Sequence, residues 1–323
     1  MIDSARYSRQ EIIAEIGKEG QKKIQKSHVA IIGIGALGSV AAELLARAGV
    51  GTLTIVDRDI VELSNLQRQT LFTEKDVGRS KTVAAAQRLN EINQEVVIIP
   101  KAIHLAAHNC DFLSAVDLIL DCTDNLQTRF LINHYCRNQS KPWIYAAAIR
   151  TEGYIMPIVP GGPCLRCFIS TAPTETCATA GVLNTIISST ASHQTTLALK
   201  IIVQGRKAVA ENELIKIDVW ENTIRKMVIS KKKNCPVCLG KDDPLLQEEQ
   251  TKIIPFCSGK KYQMTTKKDF AVLKKFWEKT GEILCDGETL SFKNILLFRD
   301  GRVLIKANSE EEAMVIYNQW IGS

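Results

Sequence analysis

The sequence predicts an α/β protein with a doubly wound, mostly parallel sheet, because short apolar runs alternate with helical intervals and one run ends in a glycine-rich turn. That run, His28–Ile32, is too short for a helix and suits a strand buried on both faces. The turn has Gly33, Gly35 and Gly38, a spacing that permits a tight corner, a close backbone approach to phosphate and close packing of helix on strand. This is a Rossmann-like pattern, in which the N-terminus of the first helix faces an anion.

The following residues continue the same unit. A helix is expected from about Leu37 to Ala48, and a second strand at Thr52–Val56. Asp57 closes that strand, where a carboxylate that binds ribose belongs. A nicotinamide or flavin dehydrogenase would show the same features, so the glycine motif alone leaves the cofactor class open.

Further strands and helices are predicted along the chain. The pattern predicts strands at 96–99, 118–121 and 143–147, and helices at 126–136 and 192–203. A helix is also expected near the start, where Ile12, Ile13, Ile16 and Ile24 recur at roughly helical spacing. Ser80 is expected to cap a helix that begins near Lys81.

Composition limits the class of function. The chain has 323 residues, 45% of them hydrophobic, and a net charge of +6. No uninterrupted apolar stretch is long enough to span a membrane, and the first residues lack the apolar core of a signal peptide, so a cytoplasmic protein without a membrane partner is expected. The charge is mild and no basic cluster interleaves with aromatics, so nucleic acid is not an expected partner.

Several polar motifs flank the glycine turn. One precedes it, Arg6-Tyr7-Ser8-Arg9-Gln10. The others follow it in order: Asp57 and Asp59, Asn65-Leu66-Gln67-Arg68-Gln69, Gly78-Arg79-Ser80-Lys81 and Asp121-Cys122-Thr123-Asp124-Asn125. Over roughly residues 5–240 these motifs resemble the MoeB/ThiF/HesA family, the prokaryotic relatives of ubiquitin-activating enzymes. The resemblance implies adenylation of a carrier protein with ATP, and it implies a homodimer. It also implies that the sheet continues into an antiparallel part, because residues 146–153 match the family's segment that leads there.

The resemblance also assigns roles to residues of this chain. Arg68 and Lys81 would bind the ATP phosphates, Asp57 the ribose hydroxyls, and Asn65 would order its loop. Asp59, Gln69 and Asn125 fall in the same nucleotide-binding motifs. Arg9 would cross the dimer interface to the partner's nucleotide. From the residues alone, a solvated charge is the more common role for an arginine on an N-terminal helix, and the resemblance is what favours the nucleotide.

Asp124 has two interpretations. It follows a predicted strand at the carboxyl edge of the sheet, where ligands bind in doubly wound folds. A lone carboxylate there suits Mg²⁺, which prefers few carboxylates together with water and phosphate oxygens. The alternative is a cap for the next helix, a role that Asn125 would fill equally well.

The ten cysteines of the chain include two pairs with the spacing of zinc ligands. Cys164 and Cys167 form one CxxC pair, and Cys235 and Cys238 form the other. Two such pairs predict a closed structural zinc site that ties the end of the domain to its middle; a redox role is the alternative.

The remaining cysteines carry a weaker signal. Cys177 matches, by resemblance, a mobile-loop cysteine that in some relatives forms a thioester or acyl disulfide with the carrier; a small buried side chain is the alternative. Cys110, Cys122, Cys136, Cys257 and Cys285 are expected to be core or surface thiols.

Domain organisation follows from composition. We expect an adenylating domain with the zinc site at 1–245, a polar linker at 246–255 and a small α+β domain at 256–323 with a docking role. In that last domain Arg299-Asp300-Gly301 should join two strands, and a final helix should run from Glu310 to Trp320.

The predicted function is ATP-dependent adenylation of the C-terminal glycine carboxylate of a ubiquitin-like sulfur carrier ending in Gly-Gly. ATP, Mg²⁺ and Zn²⁺ are the expected cofactors, and a persulfide donor protein is a further expected partner. Three alternatives stay open at this point: adenylation of a peptide carboxylate, a non-catalytic subunit of a heterodimeric activating enzyme, and an NAD-dependent oxidoreductase.

Overall fold

The computed structural model describes residues 6–169, 180–241, 254–255 and 261–322. The chain divides into two compact units, Met1–Gln247 and Glu248–Ser323.

Two short helices replace the single N-terminal helix that the sequence predicted. They are α1, Ser8–Glu11, and α2, Gly17–Lys26. Ile12 and Ile13 lie between them and are 70% and 47% exposed, so the prediction of one continuous helix is wrong. Ile24 is fully buried and fixes α2 on the core.

The first half of the larger unit is parallel. Its strands and helices, in chain order, are β1 His28–Ile32, α3 Ala36–Ala48, β2 Thr52–Val56, α4 Lys81–Ile92, β3 Val97–Lys101 and β4 Leu118–Asp121. The bounds of β1, β2 and β4 are those predicted, because each strand is a short, mostly apolar run that is buried in the sheet. β3 begins one residue later than predicted and lies largely exposed at the edge.

The second half turns antiparallel. Its elements are α5 Leu126–Asn138, β5 Trp143–Ile149, β6 Glu152–Ile158, α6 Leu165–Phe168, α7 Asn184–Gln204, β7 Glu213–Asp218 and β8 Thr223–Val228. Among the described residues the sheet has eight strands in the order β3-β2-β1-β4-β5-β6-β7-β8. β4 and β5 pair in parallel, and β5 to β8 pair antiparallel. The predicted mostly parallel sheet with an antiparallel continuation is confirmed.

Two apolar clusters cover the two faces of this sheet. One packs β1, β2, α3, α4 and α7 around Val29, Ile31 and Leu53. The other packs α5 against the alternate face, around Ile119 and Tyr145. Successive strand residues therefore enter opposite clusters, as a sheet buried on both faces requires.

The smaller unit is an α+β structure. Its elements are β9 Ile254–Pro255, β10 Lys261–Thr265, α8 Phe270–Glu278, β11 Leu284–Cys285, β12 Thr289–Phe292, β13 Ile295–Phe298, β14 Arg302–Lys306 and α9 Glu310–Trp320. Its described strands form one antiparallel sheet, and Trp277 stacks on Phe292 in its core. The predicted turn at Arg299-Asp300-Gly301 and the helix Glu310–Trp320 are present as expected.

Candidate active site and metal centre

The glycine turn makes a corner that side chains would block. Gly33 has a φ of +91°, and a Cβ there would lie 2.8 Å from the carbonyl oxygen of Cys122. A Cβ on Gly38 would lie only 1.9 Å from the carbonyl oxygen of Gly33, so α3 packs directly on the end of β1. Gly35 is the N-cap of α3. The N-terminus of α3 is therefore presented at the carboxyl edge of the sheet, where its N–H groups favour an anion.

Asp57 is fixed beside this corner. Its carboxylate accepts hydrogen bonds from the backbone N–H of Ile34 at 2.7 Å and of Asp59 at 2.8 Å. The first of these bonds joins the end of β2 to the glycine turn. The predicted ribose-binding carboxylate is thus held at the mouth of the turn.

Lys81 is the buried cation of the site. Lys81 is 6% exposed, and its Nζ lies 3.4 Å from a carboxylate oxygen of Asp59. Burial would lower the pKa of Lys81, but the attraction of Asp59, Asp57 and Asp124 outweighs it and raises the pKa above its usual value. The structure therefore brings four of the predicted site residues into one electrostatic cluster.

Ser80 does not cap α4 as predicted. It occupies the N-cap position, but its side chain makes no capping hydrogen bond. Its hydroxyl lies 3.1 Å from the hydroxyl of Thr82 instead, and the residue is fully buried. The prediction of a serine cap is wrong, because the hydroxyl is engaged by a neighbouring side chain.

The loop after β2 has its own internal order. Asn65 accepts a hydrogen bond from the backbone N–H of Glu62 and closes a short 3₁₀ turn. Arg68 donates from its guanidinium to the carbonyl of Ser64 at 2.9 Å and is half-buried. Gln69 is 4% exposed, and its Oε1 has no hydrogen-bond partner within the described chain. Such a buried, unpaired acceptor beside the glycine turn fits a site completed by a ligand.

Asp124 is left available by its neighbour. Asn125 is the N-cap of α5, and its side chain accepts from the backbone N–H of Thr128 at 2.8 Å. Asp124 itself is exposed just beyond β4. A single exposed carboxylate at this edge, close enough to attract Lys81, fits the donor set that Mg²⁺ uses together with phosphate oxygens.

Two residues that the sequence analysis missed support this loop. The Nε of Arg129 lies 3.2 Å from a carboxylate oxygen of Asp121, which is fully buried. Burial raises the pKa of Asp121 above its usual value, although the charge of Arg129 acts in the opposite direction. Gln194 donates to the backbone carbonyls of both Asp121 and Ile144. A buried aspartate at the end of a strand requires a counter-charge. The position of Asp121 at the end of a predicted buried strand is therefore the one sequence signal that could have suggested a nearby arginine.

The N-terminal motif separates into anchors and an exposed arginine. Tyr7 is buried, donates to Glu95 and packs on Gly49 at the end of α3. Gln10 donates to the carbonyl of Ala48. Arg9 lies between them in sequence and is exposed on α1. Its guanidinium is therefore held at the surface by two neighbours that bind the core.

Four thiols meet where the two CxxC segments pack together. The Sγ atoms of Cys164, Cys167, Cys235 and Cys238 all lie within 4.8 Å of one another. The Sγ–Sγ distances are 4.0 Å for Cys164–Cys167 and 3.6 Å for both Cys164–Cys235 and Cys167–Cys238. Four thiolates around Zn²⁺ with bonds of about 2.3 Å would lie about 3.8 Å apart, which is close to these values. Cys164, Cys167 and Cys235 are buried, and Cys238 is partly exposed. The donor set fits the predicted structural zinc.

The other cysteines fall as expected where they are described. Cys110, Cys122 and Cys136 are buried and Cys285 is exposed. Burial raises the pKa of Cys110 to about 11, so this thiol stays protonated at neutral pH. Cys177 and Cys257 lie outside the described residues.

Comparisons with known proteins place this chain in a family. The chain belongs to the ThiF family, which matches residues 7–237. It is 37% identical to the sulfur carrier protein ThiS adenylyltransferase of Bacillus subtilis, over 99% of this chain and 100% of that protein. It is 38% identical to the enzyme of the same name from Escherichia coli, over 75% of this chain and 98% of that one. The SAMP-activating enzyme E1 of Haloferax volcanii is 36% identical over 72% of this chain and 88% of that one.

The predicted class of enzyme is confirmed by these relatives: the protein is an adenylyltransferase. Among solved structures, the fold is similar to that of E. coli MccB in complex with MccA-N7isoASN, with a TM-score of 0.65, 24% identity, and coverage of 72% of this chain and 74% of that one. That likeness supports the fold alone. In the described residues, no helix has the length and apolar character needed to cross a membrane.

Proposed function

We propose that the protein uses ATP to adenylate the C-terminal glycine carboxylate of a ubiquitin-like sulfur carrier. The observation that carries the proposal is the cluster at the carboxyl edge of the sheet, where buried Lys81 is surrounded by Asp57, Asp59 and Asp124 beside the N-terminus of α3. A buried cation with an oriented set of N–H groups suits a polyphosphate. Asp57, at the end of β2, lies where ribose hydroxyls would bind.

The reaction requires no general base. The carrier carboxylate is already ionised and attacks the α-phosphorus; an acyl–phosphate bond forms, the α–β phosphoanhydride bond breaks, and pyrophosphate leaves with its electron pair. Lys81, Arg68 and the N–H groups of α3 bind and orient the phosphates, so that catalysis rests on positioning and on compensation of charge. Mg²⁺ held by Asp124 would supply further neutralisation of the phosphate oxygens.

Arg9 contributes from a second subunit. Its exposure on α1, between two residues that anchor this segment to the core, is what an arginine offered to another chain requires. The enzyme is accordingly a homodimer in this proposal, with Arg9 binding the partner's nucleotide phosphates.

The carrier is of the ThiS type. The Bacillus relative, named for that carrier, matches over 99% of this chain and therefore includes the smaller unit as well as the adenylating one. The smaller unit would dock the carrier or another protein. The proposed domain limits stay 1–245, 246–255 and 256–323.

Sulfur acceptance follows adenylation. A persulfide donor, or Cys177 acting as a nucleophile that displaces AMP and forms a thioester, would receive the activated acyl group. The role of Cys177 remains a prediction, and so does a cytoplasmic location. Replacement of Cys177 by serine should leave adenylation intact and should abolish sulfur transfer only if this thiol takes part.

The test is ATP–pyrophosphate exchange with purified protein and each Gly-Gly-ending carrier of the same organism. Exchange that depends on a ThiS-type carrier supports the proposal. Exchange with a short free peptide but with no carrier would replace it by a peptide-tailoring function, and no exchange with any acceptor would contradict adenylation of a carboxylate.

A further inference from the structure

Strands β4 and β5 part at the edge of the sheet that carries Asp124. Their register pairs only Ile119 with Trp143 and Leu120 with Ile144. β4 then ends at Asp121, whereas β5 continues to Ile149. Backbone carbonyls beyond the last pair need partners from outside this ladder. Two long side chains provide them.

Gln194 enters the gap from the face covered by α7. It is fully buried, and its Nε2 donates to the carbonyl of Asp121 at 2.9 Å and to the carbonyl of Ile144 at 3.0 Å. Its Oε1 accepts from the thiol of Cys122 at 3.3 Å. One carboxamide thus joins β4 to β5 where the strand-to-strand hydrogen bonds stop.

Arg129 enters from the opposite face. Its Nη2 donates to the carbonyl of Thr123 at 2.5 Å and to the carbonyl of Ala146 at 3.2 Å, so it too bridges the end of β4 and β5. Its Nε lies 3.2 Å from the Asp121 carboxylate. The guanidinium stands 5.2 Å from the ring centroid of Tyr145, which belongs to the apolar cluster on the α5 face.

Each contact has a consequence for Asp124. Asp121 accepts from both the N–H and the hydroxyl of Thr123, so this carboxylate orients the residue that directly precedes Asp124. Without Arg129 the carboxylate would be buried without its counter-charge, and the Thr123 carbonyl would lose its donor. The direction in which Asp124 leaves the strand therefore depends on Arg129.

We infer that Arg129 and Gln194, here called the strand clamp, are positioning residues of the adenylation site: they fix the opening between β4 and β5 from both faces and hold the loop that presents Asp124. This inference rests on the proposed function for its kinetic part. The clamp touches neither nucleotide nor carrier in this account and acts through the loop.

The test compares the full-length wild type with Arg129→Lys, which retains a positive charge near Asp121 but cannot make the three contacts of a guanidinium. The first measurement is hydrogen exchange at the Thr123 amide in the protein that retains its zinc but has neither magnesium nor nucleotide added. We expect exchange in the variant to be at least about tenfold faster there, because the carboxylate that accepts this N–H loses its fixed position.

The second measurement is the kinetics of carrier-dependent pyrophosphate exchange. We expect kcat to fall by about 100-fold, the KM for ATP to change by less than about threefold, and the Mg²⁺ concentration for half-maximal rate to rise by about tenfold. A loss of folded protein alone would lower the apparent kcat without moving the Mg²⁺ dependence.

Arg302→Lys is the matched control. Arg302 lies in the smaller unit, makes an ion pair with Asp300 at 2.7 Å and stands 4.1 Å from the ring centroid of Phe298. Like Arg129, it therefore combines an ion pair with an aromatic ring contact. The Arg302→Lys variant should leave both the Thr123 exchange rate and the Mg²⁺ dependence unchanged.

Two results would overturn the inference: equal Thr123 exchange in wild type and Arg129→Lys, or an unchanged Mg²⁺ dependence in an Arg129→Lys variant that remains active. A wild type without pyrophosphate exchange would overturn the proposed function instead, and the hydrogen-exchange comparison would still decide on the clamp.

Discussion

Helix α5 has a different kind of site at each end. At its start, Asn125 caps the helix and leaves Asp124 exposed, next to the cluster that holds Lys81. Near its end, Asn133 accepts from the backbone N–H of Leu165 in one CxxC turn, and Arg137 donates to the carbonyl of Cys238 in the other at 3.5 Å. Helix α5 therefore borders both the candidate active site and the candidate metal centre.

The difference lies in what each end leaves unsatisfied. The four thiols supply a complete tetrahedral set, so a metal bound there has no open position and serves the fold. The other end retains an exposed carboxylate, a buried lysine and the unpaired acceptor of Gln69, which is a set that a ligand completes. Changes at the end with Asp124 and Lys81 should therefore affect chemistry, and changes at the end with the four thiols should affect stability.

The largest effect is expected at Asp124, at the active-site end of α5. We expect Asp124→Ala to lower carrier-dependent pyrophosphate exchange by about 1,000-fold, because it removes the carboxylate that would hold Mg²⁺ against phosphate. The unfolding temperature should change by no more than that of Asp111→Ala, a control at another exposed aspartate. A variant that retained full exchange would exclude Asp124 from the active site.

The metal end should show the converse behaviour. We expect Cys235→Ser to lose bound zinc and to lower the free energy of unfolding by about 3 kcal/mol or more, because one of four ligands is gone. Metal analysis and thermal denaturation measure both effects, with Cys285→Ser, at an exposed thiol, as the control. Full zinc content in the Cys235 variant would contradict the four-cysteine site.

A variant at Arg9 tests whether the candidate active site is complete in one chain or needs a residue from a second subunit. We expect Arg9→Ala to reduce exchange by about 100-fold. Mixing it with Asp124→Ala should restore activity to about a quarter of wild type, since half of randomly formed dimers would contain one intact site. Arg6→Ala, at the neighbouring exposed arginine, is the control. No recovery on mixing would mean that Arg9 does not act in trans.

The smallest effect concerns the charge of Lys81. Its pKa is raised in the folded protein by three carboxylates, so its charged form is present below the usual lysine value and is lost only as pH rises through the higher folded value. ATP affinity should therefore stay level between about pH 7 and pH 9.5 as far as Lys81 is concerned. A loss of affinity in this range that Lys81→Met abolishes would show that the lysine is not stabilised as described.

The sequence predicted most accurately those strands whose limits depend on a local run of apolar residues. Strands β1, β2 and β4 were recovered at their observed limits because a buried parallel strand is a short apolar run. Helix α7 begins at Asn184, well before the predicted Ser192, because its first turns contain β-branched and hydroxyl residues whose weak helix propensity is overridden by packing under β5 and β6.

The clamp could not be predicted in the same way. Arg129 and Gln194 bind backbone carbonyls of strands far from them in sequence, and a carbonyl carries no sequence signal. The residues proposed to bind the nucleotide and the four cysteines could be named from the sequence because motif and spacing indicate them directly. Contacts made by long polar side chains to distant backbone appear only when the chain is folded.

The central claim is that this chain transfers the adenylyl group of ATP to a carrier carboxylate, and intact-mass analysis of the carrier tests it most directly. After incubation of enzyme, ATP and Mg²⁺ with a ThiS-type carrier, the account predicts a carrier heavier by one adenylyl group, absent with Asp124→Ala and absent when the terminal glycine is removed. A carrier of unchanged mass, under conditions in which the enzyme is folded and binds ATP, would contradict it.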